Sequence, residues 1–376
     1  MRTRAAVIYE MEKPEPYAHT SPLVIEEVEL DPPGPGEVLV ELVGAGLCHS
    51  DLSTINGTIP RLMPMILGHE ASGIVREVGS GVREFKPDDH VVFSFVPTCG
   101  HCLYCAIGRP ALCTNGTKAN NAGTLLNGSV RFHRPDGQRL LHYLGVSAFS
   151  QYTVVAQESL ITIEKTIPLD KAALFGCAVL TGVGAVINTA RVLPGEPVVI
   201  FGLGGVGLSA LMGARLVGAS PIVAVDVLPT KLALAKRLGA DITVSAHEGD
   251  PVTAVRDATG GGAEYAFEAA GSTQVLAQAY KATRRGGKTI AIGLAHPREQ
   301  LSIQAVSLTT LEKTIQGSFM GSAVPRRDIP RLMHLYQTGK LPVDELLSPS
   351  IALDEINEGF DRLAQGQAVR QLIHFA

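Results

Sequence analysis

A histidine and a carboxylate stand together between glycines in Leu67-Gly68-His69-Glu70, with Cys48 upstream and Cys177 far downstream. Thiolate sulfur and imidazole nitrogen suit zinc, and three protein ligands (Cys48, His69 and Cys177) leave a coordination position for water or substrate. That is the donor pattern of a catalytic zinc. Taken singly, His69 would read as a core histidine and the two cysteines as small buried hydrophobes. The other four of the six cysteines tip the balance, because they fall in one short stretch, Cys99, Cys102, Cys105 and Cys113. Spacings of three, three and eight let a loop fold four sulfurs into a closed tetrahedral shell, a structural zinc site with no position for substrate. Iron–sulfur ligation or a redox dithiol could use similar spacing, but the flanking pattern of either is missing. His101 lies inside the loop as a bystander.

A second chemistry is written at Gly202-Leu203-Gly204-Gly205-Val206-Gly207. An apolar run, Val198 to Phe201, leads into it, a helical stretch to Val217 leaves it, and a second apolar run from Ile222 ends on Asp226. Gly202 permits the tight turn, Gly204 lets backbone approach a pyrophosphate, Gly205 and Val206 carry the turn into the helix, and Gly207 allows close helix–strand packing. Asp226, 19 residues after Gly207, stands where a carboxylate accepts hydrogen bonds from the adenosine ribose and repels the extra phosphate of NADP. With no cation at Val227 or Leu228 the expected cofactor is NAD, and Lys231 offers a further ribose contact.

Two kinds of element must position these residues. At 376 residues the chain suits two domains. Residues 1 to about 178 read as short strands between turns, among them Val24 to Leu30, Glu37 to Gly46, Ala71 to Val78 and His90 to Phe95, giving an antiparallel, partly barrel-like domain. Residues 179–322 alternate strand and helix through Ile242 to Val244, Tyr265 to Glu268 and Thr289 to Gly293, a parallel sheet of about six strands. Beyond residue 322, helices over Asp328 to Thr338 and Leu353 to Gln365 and a strand from Val369 to Phe375 return to the first domain, so residues 1–178 and 323–376 belong together. A charged fraction of 18% and a net charge of −4 leave no basic surface for nucleic acid. The apolar stretch Val198 to Ala214 is shorter than the roughly 20 residues a membrane span needs and is broken by glycines. Met1 to Glu10 has no apolar run of signal-peptide length, so the expected location is cytoplasmic.

With these motifs in place the chain resembles the zinc-dependent medium-chain alcohol dehydrogenases, of the liver-type and class III-like branch, over essentially its whole length. Gly68-His69-Glu70-Ala71-Ser72-Gly73-Ile74-Val75-Arg76-Glu77-Val78-Gly79-Ser80-Gly81-Val82 matches that family's zinc signature, and the insertion between Cys113 and Gly145-Val146-Ser147-Ala148-Phe149-Ser150-Gln151-Tyr152 is of the longer kind. The resemblance implies an α/β fold with a six-stranded Rossmann coenzyme domain and a mainly β, GroES-like catalytic domain, with two zinc ions per chain and NAD. It implies Cys48, His69 and Cys177 as catalytic zinc ligands, Asp51 as the carboxylate that orients the ligand histidine, Glu70 as the acid beside the metal, and Ser50 as the hydroxyl that takes the substrate proton. Thr181, Val206 and Ile292 correspond to positions at the nicotinamide, Arg370 to a pyrophosphate-binding arginine, and Phe95, Tyr143, Leu144, Ile59 and Leu294 to the substrate pocket.

Two positions depart from the family pattern. The liver-type proton relay ends on a histidine where this chain has Ser53, and His49 occupies the place of an arginine set against the pyrophosphate. The apolar pocket, with Ile59 where glutathione-dependent formaldehyde dehydrogenases carry an acid, leads to an expectation of medium-chain or aromatic primary alcohols, oxidised to aldehydes with NAD and reducible in reverse. The alternative is formaldehyde dehydrogenation through a thiol adduct, and a more distant one is a non-catalytic zinc- and NAD-binding protein. The family's habit of pairing coenzyme-domain sheets, with the apolar segment Leu301 to Ile315, implies a homodimer.

Overall fold

The computed structural model describes residues 1–375. The chain forms two compact units. The first combines Met1–Cys177, Val324–Met333 and the chain from Leu347 onward, and the second combines Ala178–Ala323 with His334–Leu346. The return of 334–346 to the second unit departs from the sequence expectation, which kept everything past residue 322 in the first. Its cause is burial, since Leu341, Val343 and Leu346 are each at most 1% exposed and the turn Val343–Leu346 packs by the helix Gly205–Leu216.

The first unit is built from strands β1 (Arg2–Ile8), β2 (Leu23–Leu30), β3 (Glu37–Gly46), β4 (Met65–Ile66), β5 (Glu70–Val78), β6 (His90–Phe93), β7 (Phe132–His133), β8 (Arg139–His142), β9 (Tyr152–Ala156) and β10 (Leu160–Thr162). A closed barrel runs β1-β2-β7-β8-β4, around a core that includes Val7, Val28, Leu30, Ile66, Phe132 and Leu140. Beside it a six-stranded sheet runs β10-β6-β5-β3 and ends on the C-terminal strand Leu372–His374, with β9 also on β3. Closure removes the free edges that a short-stranded open sheet would expose. The barrel-like expectation is therefore met by five short strands, of which the sequence periodicity showed only β2, because two-residue strands such as β4 and β7 are too short to display a period.

The second unit is a doubly wound α/β layer structure. Strands β11 (Val198–Phe201), β12 (Ile222–Asp226), β13 (Ile242–Ser245), β14 (Ala263–Glu268), β15 (Thr283–Ala291) and β16 (Thr314–Gly317) form one parallel sheet in the order β13-β12-β11-β14-β15-β16. Chain order reverses between β11 and β14, and the glycine-rich turn leaves the carboxyl end of β11 at that switch, where open α/β sheets bind ligands. The β-branched run Val198-Val199-Ile200 is wholly buried, as expected for a central parallel strand covered on both faces. Among the described residues no single helix is long and apolar enough to cross a membrane. The stretch Val198 to Ala214 is a strand, a turn and part of a helix.

Candidate active site

In the first unit the side chains of Cys48, His69, Glu70 and Cys177 converge, all buried, with one ligand atom from each lying within 4.8 Å of the others. Each is aimed by a local break in regular structure. Cys48 ends an extended segment and caps the helix His49–Ile55, where the Asp51 carboxylate accepts the Cys48 amide at 3.2 Å. Gly68, at φ +90, makes the turn that delivers His69 to the mouth of β5, and a Cβ there would lie 2.7 Å from the Phe149 nitrogen, so only glycine fits. Cys177 follows the turn Ala173–Gly176.

Asp51 does two jobs from a fully buried position. It accepts the Gly68 amide at 3.1 Å and faces His69 Nδ1 at 3.2 Å. With Nδ1 donating to a carboxylate, the ring presents Nε2 as the free lone pair, which fixes the tautomer a metal ligand needs. Phe95 and Tyr143 meet the His69 ring edge-on, at centroid distances of 5.4 and 5.8 Å. Tyr143 donates its hydroxyl to the Ser50 carbonyl at 2.9 Å, and Thr54, one helical turn beyond Ser50, bridges the same carbonyl and that phenol.

The electrostatics are those of a site built for a cation. Hydrogen bonding with Cys177, and then the charges of Arg370 and His69, hold the Cys48 thiol well below its ordinary range against the opposing effect of burial. The same pair pushes Cys177 up, with burial adding to it. Burial likewise drives Glu70 up to about 8, although Arg370 pulls the other way. Glu70 Oε2 is buried without a hydrogen-bond partner, while Oε1 accepts from Arg370 Nη1 at 3.1 Å. Two sulfurs, an imidazole nitrogen and an unsatisfied carboxylate oxygen in one buried cluster form a donor set that a zinc ion fits. Ser50 lies half-exposed beside it, its hydroxyl 3.9 Å from Cys48 Sγ.

The second cysteine group is equally compact, Cys99, Cys102, Cys105 and Cys113 lying within the same 4.8 Å limit. Cys113 Sγ accepts the amides of Cys99 and Gly116, each at 3.3 Å, and amides donated by Cys105 and Thr114 bring Cys102 down to about 6. Backbone donors that favour thiolate are what a four-sulfur zinc site requires. His101 stays outside this group, with Nδ1 at the Cys99 carbonyl and Nε2 at Asn115.

In the second unit the glycine turn also fits its expected guest. A Cβ on Gly207 would lie 1.8 Å from the Gly202 carbonyl oxygen, whereas one on Gly204 would meet nothing within 4 Å, leaving open space at the amino end of the helix Gly205–Leu216 where a pyrophosphate is favoured. Asp226 accepts the Leu203 amide at 2.6 Å and the amides of Val227 and Leu228 at 2.8 and 3.0 Å. The acid thus holds the glycine turn in shape. Glu268, buried at the end of β14, does the same for the next turn by accepting the amides of Ala270 and Gly271.

The comparisons with known proteins follow the two units. The family description "Alcohol dehydrogenase GroES-like domain" matches residues 34–165 and "Zinc-binding dehydrogenase" matches residues 205–338. The chain is 39% identical to the class-3 alcohol dehydrogenase of Cereibacter sphaeroides over the full length of both proteins. The chain belongs to the zinc-dependent medium-chain alcohol dehydrogenases. It is also 38% identical to the S-(hydroxymethyl)glutathione dehydrogenase of Paracoccus denitrificans, covering 99% of this chain and all of that one. Among solved structures it matches the benzyl alcohol dehydrogenase of Acinetobacter calcoaceticus with a TM-score of 0.93 at 34% identity, over 100% of both chains. As an alcohol dehydrogenase of this family it is an NAD-dependent oxidoreductase with two zinc sites per chain.

One expectation is overturned. Medium-chain or aromatic primary alcohols were inferred from the apolar types at a few pocket positions, chiefly Ile59. The curated relatives that match from end to end are class III and S-(hydroxymethyl)glutathione dehydrogenases, which favours the thiol-adduct reaction instead. A single rim residue carries less information about substrate than similarity along the whole chain. The positions assigned to this alcohol dehydrogenase by resemblance are placed as follows. Phe95 and Tyr143 lie at His69, while Ile59 and Leu144 are half-buried and Leu294 is 54% exposed. Thr181 and Ile292 are buried, Val206 and Lys231 are half-buried, and His49 is exposed. Arg370 is buried at Glu70 and also donates to the Leu47 carbonyl at 3.4 Å. Ser53 gives its carbonyl to the Ile59 amide at 2.8 Å. Two side chains at this site went unread in the sequence. Thr54 could have been found from its i+4 spacing to Ser50; Arg61, whose guanidinium lies 5.9 Å from the Tyr143 ring centroid, has no sequence signal.

Proposed function

We propose that this enzyme oxidises the S-hydroxymethyl adduct of formaldehyde with a thiol of the glutathione type to the S-formyl thiol, with NAD as acceptor. The observation that carries this reading is the end-to-end similarity to enzymes named for that reaction. The hydroxymethyl carbon loses a hydride to the nicotinamide and its oxygen loses a proton, so RS–CH2OH becomes RS–CHO. When bound, zinc supplies the Lewis acidity that lowers the pKa of the substrate hydroxyl, and NAD supplies the two-electron acceptor.

The chain's own groups do the rest. Cys48, His69 and Cys177 hold the metal, Asp51 keeps the His69 tautomer, and Glu70 balances charge beside them. Ser50 takes the hydroxyl proton, Phe95 and Tyr143 wall the reacting carbon, and Gly204, Val206, Asp226 and Lys231 hold the dinucleotide. Cys99, Cys102, Cys105 and Cys113 hold the second zinc. Arg61, above Tyr143, gives the pocket side of this unit a cation suited to a carboxylate-bearing adduct.

The test is NADH formation at 340 nm with formaldehyde, alone and with glutathione. A rate that rises at least about tenfold on adding the thiol, a gain of roughly 1.4 kcal/mol in transition-state stabilisation, supports the reading. Thiol-independent turnover of formaldehyde, or benzyl alcohol outpacing the adduct, overturns it. We further propose a cytoplasmic homodimer. The strand β16 ends the parallel sheet and its residues are largely exposed, a free edge that pairing with a second copy would cover. Light scattering at a single-chain mass of 39.7 kDa would refute the dimer.

A further inference from the structure

The helix Thr114–Ala122 belongs to neither metal group, yet it touches the supports of both. Its amino end is capped by Cys113, whose sulfur accepts the Gly116 amide. Its body lies against the segment that follows β6, where a Cβ on Gly116 would fall 2.3 Å from the Pro97 carbonyl oxygen. Near its end the buried Asn120 donates Nδ2 to the Phe95 carbonyl at 2.8 Å. It closes at Gly123, whose carbonyl accepts the His142 amide at 2.8 Å, next to Tyr143. Phe95, one of the rings that meet His69 edge-on, is thus tied through the Asn120 side chain to this helix, and the residue before the other, Tyr143, is bonded to the glycine that ends it.

We infer that Asn120 is a positioning residue of the active site: by holding the Phe95 carbonyl it sets the Phe95 ring against His69, so that a helix begun by the structural cysteine loop shapes the substrate side of the catalytic metal. The bond is buried. Asn120 Oδ1 has no partner, and neither does the buried Ser159 Oγ, although both lie 3.7 Å from the position a Gly145 Cβ would take. Nδ2 is thus the group by which the Asn120 side chain bonds the segment carrying Phe95. A donor lost there removes a hydrogen bond from a buried carbonyl and lets the Phe95 backbone shift, carrying the ring with it.

The substitution Asn120→Leu keeps the volume and removes the donor, and Asn120→Ser is a milder version of the same loss. The substrate arm rests on the thiol-adduct reading, so wild type is measured first with the formaldehyde adducts of glutathione and of the smaller 2-mercaptoethanol. An inactive wild type counts against that reading alone, because a second arm reads the site without turnover: the visible bands of Co(II) placed at the catalytic metal position. The expected result in N120L is a shift in the Co(II) bands. With it comes a five- to tenfold change in the ratio of kcat/KM between the two adducts, carried mainly by KM, at unchanged NADH affinity and unchanged retention of the four-cysteine zinc. Unaltered bands and ratio overturn the inference, as does a loss of NADH affinity that matches the change in kcat/KM. If N120L does not fold, N120S decides by the same readings, and failure of both to fold shows a structural role and overturns it too.

Discussion

Replacing Asp51 with asparagine should strip the catalytic zinc while leaving the structural one. Both carboxylate oxygens are committed, Oδ2 to the Cys48 amide and Oδ1 to the Gly68 amide and His69 Nδ1. An asparagine has one acceptor for those three donors. If its oxygen serves Gly68 and His69, its amide faces the Cys48 N–H, donor against donor, in a fully buried position. If it flips, it donates to His69 Nδ1 and moves the ring proton to Nε2, which removes the metal-binding lone pair. Each alternative leaves at least one buried donor unpaired, at a cost of about 1–3 kcal/mol, and the flipped one also disables a ligand. Loss of such an outer partner typically weakens metal binding by about 10- to 100-fold. Metal analysis after dialysis against a graded chelator checks this. Wild type should hold two zincs over a range in which D51N holds one, with turnover falling in step. Equal retention in the two proteins would show that Asp51 does not govern the site.

The second large effect lies in the other unit and leaves both metals alone. Gly207→Ala would place a methyl carbon 1.8 Å from the Gly202 carbonyl oxygen, and neither backbone can yield cheaply. Gly202 donates to the Val225 carbonyl at 2.9 Å and the next amide is fixed by Asp226. The turn must open, and with it the row of amides at the start of the helix Gly205–Leu216. We expect the NADH dissociation constant to rise by about 100-fold, equivalent to about 2.7 kcal/mol, with zinc content still at two per chain. Fluorescence titration of NADH measures it, and a constant within threefold of wild type would refute the reading of Gly207 as the close-packing glycine.

Gly207 marks where the sequence was most legible, whereas Asp51 was placed only by the family resemblance. Glycine and cysteine carry their constraints in their type, so spacing alone exposed the four-cysteine loop and the turn after β11, while Cys48, His69 and Cys177, far apart in the chain, were joined by donor type and by the family resemblance. Long strands with a clear period, such as Glu37–Gly46 and Ile222–Asp226, were read almost to the residue. The helix Thr114–Ala122 was not, because Thr-Asn-Gly-Thr-Lys-Ala-Asn-Asn-Ala has no apolar stripe and is held by a cysteine cap and by Asn120. The strand β16 fell within and just beyond a segment assigned to an interface, since an exposed edge strand shows none of the apolar run that marked β11. Contacts such as Arg61 over Tyr143 depend on how loops fold back and leave no periodic trace. Substrate was the least legible of all, because it turns on a few rim side chains whose neighbours the sequence does not reveal.

Arg370 and its partner Glu70 are 300 residues apart in sequence, and the strand just after Arg370 pairs with Gly44–Gly46 of β3. During synthesis the amino-terminal part of the first unit, Met1–Cys177, therefore emerges with all three sulfur and nitrogen ligands in hand but without the guanidinium that pairs with the acid beside them. The whole nucleotide-binding unit must leave the ribosome before that charge arrives. A chain that stops short of Arg370 lacks the guanidinium that faces Glu70 beside the metal ligands, so the electrostatic setting of the site depends on chain made only after the second unit.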